Sequence, residues 1–182
     1  MSQTPLAQTF SRRVPEADSL EREVCDTCGF IAYENPKIVV GAVVRSGERI
    51  LMCRRAIEPR RGFWTLPAGY LELNETPEDG ARREAREEAE AEIAIDGLLA
   101  VYSVPRLSQV QLIYRAHLVG GFAPGPESLE VGLFDLDELQ RDEIAFPSVL
   151  WALAHERAVR AGATGPFSNP PGATGDPSEL TP

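Results

Sequence analysis

Positive charge, histidine and cysteine are all scarce in this chain of 182 residues. It has 18 lysines and arginines against 28 aspartates and glutamates, a formal net charge of −10, and only two histidines. Proteins that bind nucleic acid through its phosphates usually carry a basic patch, so this charge argues against nucleic acid as a partner, although a local basic pocket stays open. His117 and His155 have no partner pattern, so the sequence does not support catalysis by histidine.

Long apolar runs are missing as well. No stretch of about 18 apolar residues exists, so we expect no membrane span. The first thirty residues carry acidic and polar groups where a signal peptide would have a continuous apolar segment. We therefore expect a soluble, cytoplasmic protein without a membrane partner. The three cysteines have no repeated spacing, which argues against a secreted disulfide scaffold and predicts reduced thiols.

Composition divides the chain into three parts. Residues 1–35 are an N-terminal segment whose first part shows no clear hydrophobic period. Residues 36–160 carry the apolar, periodic stretches expected of one globular domain. Residues 161–182 are rich in Gly, Pro, Ser and Thr and have few large apolar side chains, so we predict a disordered tail.

The central part predicts a mixed α/β sheet with helices on its faces. Thr76 is a good N-cap and Pro77 suits the first helical position, so a helix should run from there to about Ala91. The stretch before it, FWTLPAGYLEL, is extended and broken by Pro67 and Gly69. The other predicted elements are a strand hairpin over 37–45 and 49–55, strands over 93–103, 109–119 and 129–134, a short helix near 135–140 and a longer helix over 148–160.

The central helix carries the sequence ARREAREEAEAEI, residues 81–93, in which one face is a stripe of small residues: Ala81, Ala85 and Ala89. Small residues allow a helix to lie close against a sheet. Glu84, Glu87 and Glu88 fall on the adjacent arc, where two carboxylates about 5 Å apart repel by roughly 3 kcal/mol at an effective dielectric of about 20. A divalent cation such as Mg²⁺ or Mn²⁺ would reverse the sign of this interaction. The alternative is a solvent-exposed helix stabilised by i,i+4 pairs of Arg and Glu.

The residues before the helix favour the metal. Gly69, five residues, Glu75, seven residues and then Arg83-Glu84-Ala85-Arg86-Glu87-Glu88 resemble the signature of the Nudix hydrolase superfamily, G-x5-E-x7-R-E-U-x-E-E-x-G-U, where U is a bulky aliphatic residue. In physical terms, Gly69 permits a tight loop, Glu75 can order the glutamates and Arg83 can orient a carboxylate. The chain departs from the signature at the end of the helix, where Ala85 and Ala91 replace bulky aliphatic residues and Glu90 replaces Gly.

The resemblance implies a Nudix α/β/α sandwich and an enzyme, a Nudix diphosphatase, in which divalent ions help water to attack a diphosphate linked to a nucleoside. The matching positions Glu84, Glu87 and Glu88 are implied to be metal ligands and catalytic residues, supported by Arg83 and Glu75. Many members use a further glutamate from a later loop. Glu127 and Glu130 are the candidates here, and we favour Glu130.

Over roughly residues 24–150 the chain resembles the subgroup of FAD diphosphatase and ADP-ribose pyrophosphatase-like enzymes, in stretches such as VCDTCGFIAYENPKIVVGAV and FAPGPESLEVGLFDLDEL. The implied substrates are FAD, ADP-ribose or similar nucleotides, cleaved to AMP and a second phosphate. The signature of NADH diphosphatases, S-Q-P-W-P-F-P-x-S, is absent because residues 103–109 are SVPRLSQ, so NADH ranks lower. Many relatives are dimers, which leaves a homodimer open.

The candidates for binding the substrate surround the signature: Arg60, Arg61, Trp64 and Gly69. The indole of Trp64, like the rings of Phe63 and Tyr70, could stack on an adenine or flavin ring. The two arginines could meet the substrate phosphates. Core packing for the aromatic rings and exposure to solvent for the arginines are the alternatives.

The pair Cys25-x-x-Cys28, followed by Gly29, resembles one knuckle of a zinc ribbon. Zinc normally takes four ligands, usually from two such pairs, and residues 1–23 contain neither Cys nor His. We therefore do not expect zinc at Cys25 and Cys28 in a single chain, while a site shared across a dimer stays open. Cys53 lies in an apolar strand and is expected to be a small core residue.

Two other functions stay open. A house-cleaning pyrophosphohydrolase of nucleoside triphosphates would release inorganic pyrophosphate instead of two monophosphate esters. A Nudix-fold regulatory module would bind a nucleotide without turnover, and the intact glutamates argue against it.

Overall fold

The structure is a computed structural model, and it describes residues 9–138 and 140–180. Contacts within the chain divide it into two compact units, Met1–Asn35 and Pro36–Pro182. Part of the predicted N-terminal segment, residues 1–8, lies outside the described residues. None of the helices described is long and apolar enough to cross a membrane.

The first unit is a small antiparallel sheet. Its strands are β1 (Phe10–Arg13), β2 (Arg22–Cys25) and β3 (Ile31–Ala32), paired in the order β1-β2-β3. After β2 the chain turns tightly, because Gly29 N donates to Cys25 O at 2.9 Å and Cys25 N donates to Phe30 O at 2.8 Å. Gly29 has a φ of 74°, a backbone conformation that favours glycine.

The second unit contains a larger mixed sheet and two helices. Its elements are β4 (Lys37–Ser46), β5 (Arg49–Arg55), β6 (Trp64–Thr65), β7 (Ala68–Tyr70), α1 (Pro77–Ala89), β8 (Ile93–Val104), β9 (Gln109–Leu118), β10 (Ser128–Phe134) and α2 (Pro147–Arg160). The main strand order is β10-β5-β4-β9-β8, with β6 on β5 and β7 on β4. β4 and β9 run parallel and the other pairs are antiparallel, so the predicted mixed sheet is confirmed.

Alternating residues of the central strands face two different cores. Val43 of β4 and Met52 of β5 belong to one core, which contains the apolar residues of α2. Their neighbours Val44 and Leu51 belong to the other core, which contains the alanines of α1. Because successive side chains of a strand point to opposite faces, the two helices cover opposite sides of the sheet. This is the layered α/β/α architecture that the sequence predicts.

The start and the alanine stripe of α1 are as predicted. Thr76 is the N-cap, and its hydroxyl accepts a hydrogen bond from Asp79 N at 3.2 Å. The three alanines of the stripe are fully buried: Ala81, Ala85 and Ala89. The helix ends at Ala89, slightly before the predicted end, because Glu90 adopts a left-handed conformation with φ 46° and ψ 30°. Glycine adopts this conformation without steric cost, whereas Glu90 carries a Cβ there.

The prediction of a short helix near 135–140 is wrong. Residues 136–138 form a turn, residue 139 is outside the described residues, and a 3₁₀ helix follows at Arg141–Glu143. This later helix starts at Gln140, whose side chain accepts from the backbone of Glu143 while the Glu143 side chain accepts from the backbone of Gln140. This reciprocal capping fixes the start of the helix after the predicted segment rather than within it.

The prediction of a disordered tail is also wrong for residues 162–180. Phe167 pairs with Ala100 at the free edge of β8, and its ring stacks on His155 with the centroids 4.4 Å apart. The segment ends in a 3₁₀ helix, Pro177–Leu180, whose Leu180 is buried. Two large apolar side chains thus anchor a stretch whose average composition predicts disorder. The last two residues, 181–182, lie outside the described residues.

Candidate active site

A cleft of about 730 Å³ opens in the second unit beside α1. Its lining includes β7, the glutamates of α1 and the segment between β8 and β9. The start of α2 and the C-terminal segment complete the lining. Residues distant in sequence therefore meet at one place that can hold a ligand.

Gly69 and Glu84 are in direct contact across this cleft wall. A Cβ built on Gly69 would fall 2.4 Å from Glu84 Oε1 and 2.5 Å from Oε2. Glu84 is 8% exposed, so its carboxylate has little room to move away. Gly69 thus lines the cleft, and its missing side chain leaves the space that the Glu84 carboxylate occupies.

Arg83 connects three carboxylates of the signature. Its Nε and Nη2 donate to Glu75 Oε2 at 3.1 Å and to Glu75 Oε1 at 2.8 Å. Its Nη1 donates to Glu84 Oε1 at 2.7 Å and to Glu87 Oε2 at 2.9 Å. Its Nη2 also donates to the carbonyl of Tyr70 at 2.9 Å. One planar guanidinium therefore fixes the start of α1 and the preceding loop against each other.

Glu75 reaches back to the loop before α1. Its Oε1 accepts from Glu72 N at 2.7 Å in addition to the two bonds from Arg83. The hydrogen bonds from Arg83 hold the pKa of Glu75 below its ordinary value, so it is ionised at neutral pH. It orders the arginine that in turn contacts the other glutamates.

The electrostatics around Glu88 are unusual. Its side chain is buried, and this burial raises the pKa of the Glu88 carboxyl to about 8. One hydrogen bond, from Ala68 N at 3.1 Å, opposes this rise, while the nearby carboxylates of Glu84 and Glu127 strengthen it. Burial also raises the pKa of Glu84. The cleft thus concentrates carboxylate charge that the surrounding protein compensates only in part.

This donor set suits a hard divalent cation in its charge and chemistry. Carboxylate oxygens are the ligands that Mg²⁺ and Mn²⁺ prefer, and a cation would offset the repulsion among Glu84, Glu88 and Glu127. Within residues 9–138 and 140–180, however, no three His, Cys, Asp or Glu side chains already form a metal-ligand group. The Glu87 carboxylate lies 2.9 Å from Arg83 Nη1 and is largely exposed, and the Glu84 carboxylate also contacts Arg83. The glutamates line one cleft but do not all converge on one point.

The structure puts Glu127, and not the favoured Glu130, at the cleft. Glu127 lines the cleft, and its negative charge helps to raise the pKa values of Glu84 and Glu88. Glu130 lies on β10 near Arg54, with 3.5 Å between Glu130 Oε2 and Arg54 Nη1, and is more than half exposed. The pairing of β10 with β5 shifts register between Ser128 and Glu130, and this irregularity is not visible in a strand pattern.

Three predicted substrate-binding residues lie away from the cleft lining. Trp64 is buried in the core, with its ring centroid 4.6 Å from that of Phe134. The Arg60 guanidinium lies 3.8 Å from the Phe63 ring centroid and donates to the carbonyl of Ile144 at 3.2 Å. Arg61 is exposed to solvent. Core packing therefore describes Trp64 and solvent exposure describes Arg61, while Arg60 is held against Phe63 and Ile144, a role that neither alternative covers.

Two arginines outside the predicted set, Arg55 and Arg106, line the cleft instead. Arg55, at the end of β5, lies 5.2 Å over the ring of Phe146, and its Nε donates to the carbonyl of Pro59 at 2.9 Å. Arg106, in the segment between β8 and β9, lines the same cleft. The sequence signal for Arg55 is its position at the end of a buried strand, while Arg106 lies in a loop with no comparable signal. Tyr70 also lines the cleft, is exposed, and has the Lys37 ammonium 5.3 Å over its ring.

The cysteines are all free thiols. Cys25 is buried and Cys28 exposed, and backbone hydrogen bonds from Cys28 and Thr27 lower the pKa of Cys25. The described residues supply no third ligand to this pair, so the set does not fit a four-ligand zinc site within one chain. Cys53 is a buried core residue, as predicted.

Comparisons with known proteins agree with this architecture. The family model described as NUDIX domain matches residues 35–151, and a model described as Nudix N-terminal matches residues 7–34. A crystal structure of a NUDIX hydrolase from Nitrosomonas europaea superimposes with a TM-score of 0.84 at 41% identity, covering 92% of this chain and 98% of that one.

Two curated proteins are similar over shorter stretches. A MutT-like protein from Streptomyces ambofaciens is 40% identical over 102 residues, which are 56% of this chain and 64% of that protein. An ADP-ribose pyrophosphatase from Methanocaldococcus jannaschii is 30% identical over 114 residues, which are 60% of this chain and 68% of that protein. The match thus spans slightly less than two thirds of the Streptomyces protein.

Proposed function

This chain belongs to the NUDIX domain family of hydrolases, and from that premise we propose that it cleaves a nucleoside diphosphate linked to a second moiety, such as FAD or ADP-ribose. Water attacks the diphosphate, and the products are AMP and a phosphorylated second moiety. The reaction depends on Mg²⁺ or Mn²⁺. The substrate class is supported by the similarity to an ADP-ribose pyrophosphatase.

The observation that carries this proposal is the concentration of carboxylates around Glu88. Its pKa of about 8 reflects burial beside Glu84 and Glu127. Proteins rarely bury carboxylates beside one another unless a cation or a proton offsets their charge. A divalent cation held by Glu84, Glu87 and Glu88 would neutralise the substrate phosphates and activate the attacking water.

The remaining residues have distinct proposed roles. Arg83 and Glu75 are positioning residues, because Arg83 donates to Glu84 and Glu87 and Glu75 accepts from Arg83. Glu127 is the candidate for accepting the proton of the attacking water, since it is an exposed carboxylate on the cleft. Arg55 is suited to bind diphosphate oxygens. The exposed ring of Tyr70 is suited to stack on a base.

Product analysis tests the reaction. The protein is incubated with Mg²⁺ and, separately, with FAD, ADP-ribose, NADH and nucleoside triphosphates, and the products are separated by chromatography. We expect AMP and a second monophosphate ester from FAD or ADP-ribose, and no turnover in excess EDTA. Release of inorganic pyrophosphate from triphosphates as the preferred reaction, or absence of turnover on every substrate, would overturn the proposal.

A further inference from the structure

The C-terminal segment, residues 162–180, forms part of the cleft although it lies beyond the stretch matched by the NUDIX domain model, residues 35–151. Gly175 and Pro177 line the cleft together with the glutamates of α1. The segment reaches this position along the edge of β8. Phe167 N donates to Leu99 O at 2.8 Å, and Val101 N donates to Phe167 O at 2.9 Å.

A second anchor follows a few residues later. Asn169 Oδ1 accepts from Ser103 N at 2.9 Å, and Asn169 Nδ2 donates to Ser103 O at 2.8 Å. This pair of bonds imitates the pairing of two strand residues and fixes the path of the chain toward the segment between β8 and β9. The C-terminal segment is therefore guided to one place on the molecule.

The carboxylate of Glu179 then organises the turn that enters the cleft. Its Oε1 accepts from Thr174 N at 2.7 Å, Thr174 Oγ1 at 2.9 Å, Gly175 N at 2.9 Å and Asp176 N at 3.2 Å. Several successive N–H groups that converge on one carboxylate oxygen define a rigid turn. In this turn Gly175 has a φ of 78°.

The turn presents the carbonyl of Gly175 to Arg106. Arg106 Nη2 donates to Gly175 O at 2.9 Å and its Nε donates at 3.3 Å. The two bonds fix the guanidinium plane at the cleft and use one of its edges, which leaves Nη1 as a donor for a ligand. Arg106 therefore has the properties of a positioned binding residue.

We propose that Arg106, held by Gly175 and Glu179, binds the hydroxylated sugar or polyol that is esterified to the second phosphate of the substrate. This inference rests on the proposed function, whose substrates ADP-ribose and FAD both carry such a group. The carboxylates hold the diphosphate end of the cleft. Arg106 lies on the segment between β8 and β9, whereas the glutamates lie on α1, and its free donor suits hydroxyl oxygens.

Calorimetric binding of the methylene-bridged, non-hydrolysable analogues of ADP-ribose and of ADP, measured with Mg²⁺ present, tests this assignment. The ADP analogue contains the bridged diphosphate but lacks the second sugar. For the wild-type protein we expect the ADP-ribose analogue to bind more tightly than the ADP analogue. The variant Arg106→Ala should weaken binding of the ADP-ribose analogue roughly tenfold and leave binding of the ADP analogue within about twofold. Arg49→Ala, an exposed arginine at the far end of β5, is the matched control and should change neither affinity.

The positioning role of Glu179 is tested by comparing two variants, Glu179→Ala and Glu179→Gln. Glu179→Ala should reproduce the selective loss of ADP-ribose affinity, whereas Glu179→Gln keeps an acceptor oxygen and should restore most of it. In turnover assays both Arg106→Ala and Glu179→Ala should raise KM for ADP-ribose and leave kcat nearly unchanged. Thermal unfolding shows whether each variant is folded.

Three results would overturn the inference. The first is equal wild-type affinity for the two ligands. The second is unchanged ADP-ribose binding in Arg106→Ala. The third is an equal loss for both ligands, which would place Arg106 on the shared diphosphate. These binding results are independent of hydrolysis, so a protein that turns over no diphosphate would refute the proposed function without deciding the role of Arg106.

Discussion

The backbone of Gly69 lies directly against the carboxylate of Glu84, so closely that a Cβ at residue 69 would fall 2.4 Å from Glu84 Oε1. Gly69 lies on β7 and Glu84 lies on α1. Arg83 donates hydrogen bonds both to the Glu84 carboxylate and to the carbonyl of Tyr70, the residue after Gly69. Gly69, the first residue of the signature, and Glu84, its first helical glutamate, are therefore in direct contact with each other. The glycine is required here by close packing, since its φ is not in the left-handed region.

Gly69→Ala should displace the Glu84 carboxylate, because the added methyl group would occupy its place. We expect kcat to fall at least about tenfold, since a misplaced ligand lowers activity by amounts of this order. Steady-state kinetics with ADP-ribose and Mg²⁺ measures the effect. Gly120→Ala is the control, because a Cβ there meets no atom within 4 Å. Equal activity of the two variants would contradict the packing argument.

Arg83→Ala should lower both activity and stability. It removes the cation that contacts Glu75, Glu84 and Glu87, and leaves the buried Glu84 carboxylate without its ion pair. We expect a loss of activity of roughly tenfold or more and a clearly lower Tm. Arg82→Ala, which removes an exposed pair with Asp79, should change either quantity little. Kinetics and thermal unfolding of both variants decide the matter, and similar effects of the two would argue against a central role for Arg83.

Glu90→Gly should stabilise the protein. Glu90 has a left-handed φ of 46° at the end of α1, where a Cβ costs about 1 kcal/mol relative to glycine. We expect a gain of about 1 kcal/mol in the free energy of unfolding, measured by denaturant titration. Glu90→Ala keeps the Cβ and should give no such gain, so an equal gain in both variants would point to the lost charge rather than to backbone strain.

His155 should make stability pH-dependent. Its Nδ1 lies 2.7 Å from the Tyr102 hydroxyl, and burial lowers its pKa below the ordinary 6.5. The unfolded chain thus binds a proton more readily than the folded protein, so stability falls as the pH drops from 6.5 toward the folded pKa. Between about pH 7.5 and 5.5, wild-type Tm should decrease more than that of His155→Gln. Parallel Tm profiles would contradict this role of His155.

Local signals in the sequence predict α1 well, because its boundaries depend on neighbouring residues. Thr76 and Pro77 define its start through hydrogen bonding and a fixed φ, and the alanine stripe identifies the buried face. The signature spacing likewise brings Gly69 against Glu84 and Glu75 against Arg83. These features need no knowledge of distant segments.

Features that depend on distant segments could not be predicted in this way. The choice between Glu127 and Glu130 depends on a register shift against β5, and Trp64 could be assigned to the core only once Phe134 was known to meet it. The C-terminal segment looks disordered by composition, but Phe167 pairs with Ala100 at the edge of β8, which is distant in sequence, and its ring stacks on His155 of α2. Arg106 is fixed at the cleft by its hydrogen bond to the carbonyl of Gly175, a residue nearly seventy positions later in the chain.

The central claim is that the glutamates of α1 hold the cation that hydrolysis requires, and Glu88→Gln tests it most directly. Because burial raises the pKa of Glu88 to about 8, the neutral Gln side chain resembles the protonated state and the fold should be preserved. We predict that kcat for AMP formation from ADP-ribose with Mg²⁺ falls at least about 100-fold, while the exposed-site control Glu92→Gln stays close to wild type. Unchanged turnover in folded Glu88→Gln protein would contradict the account.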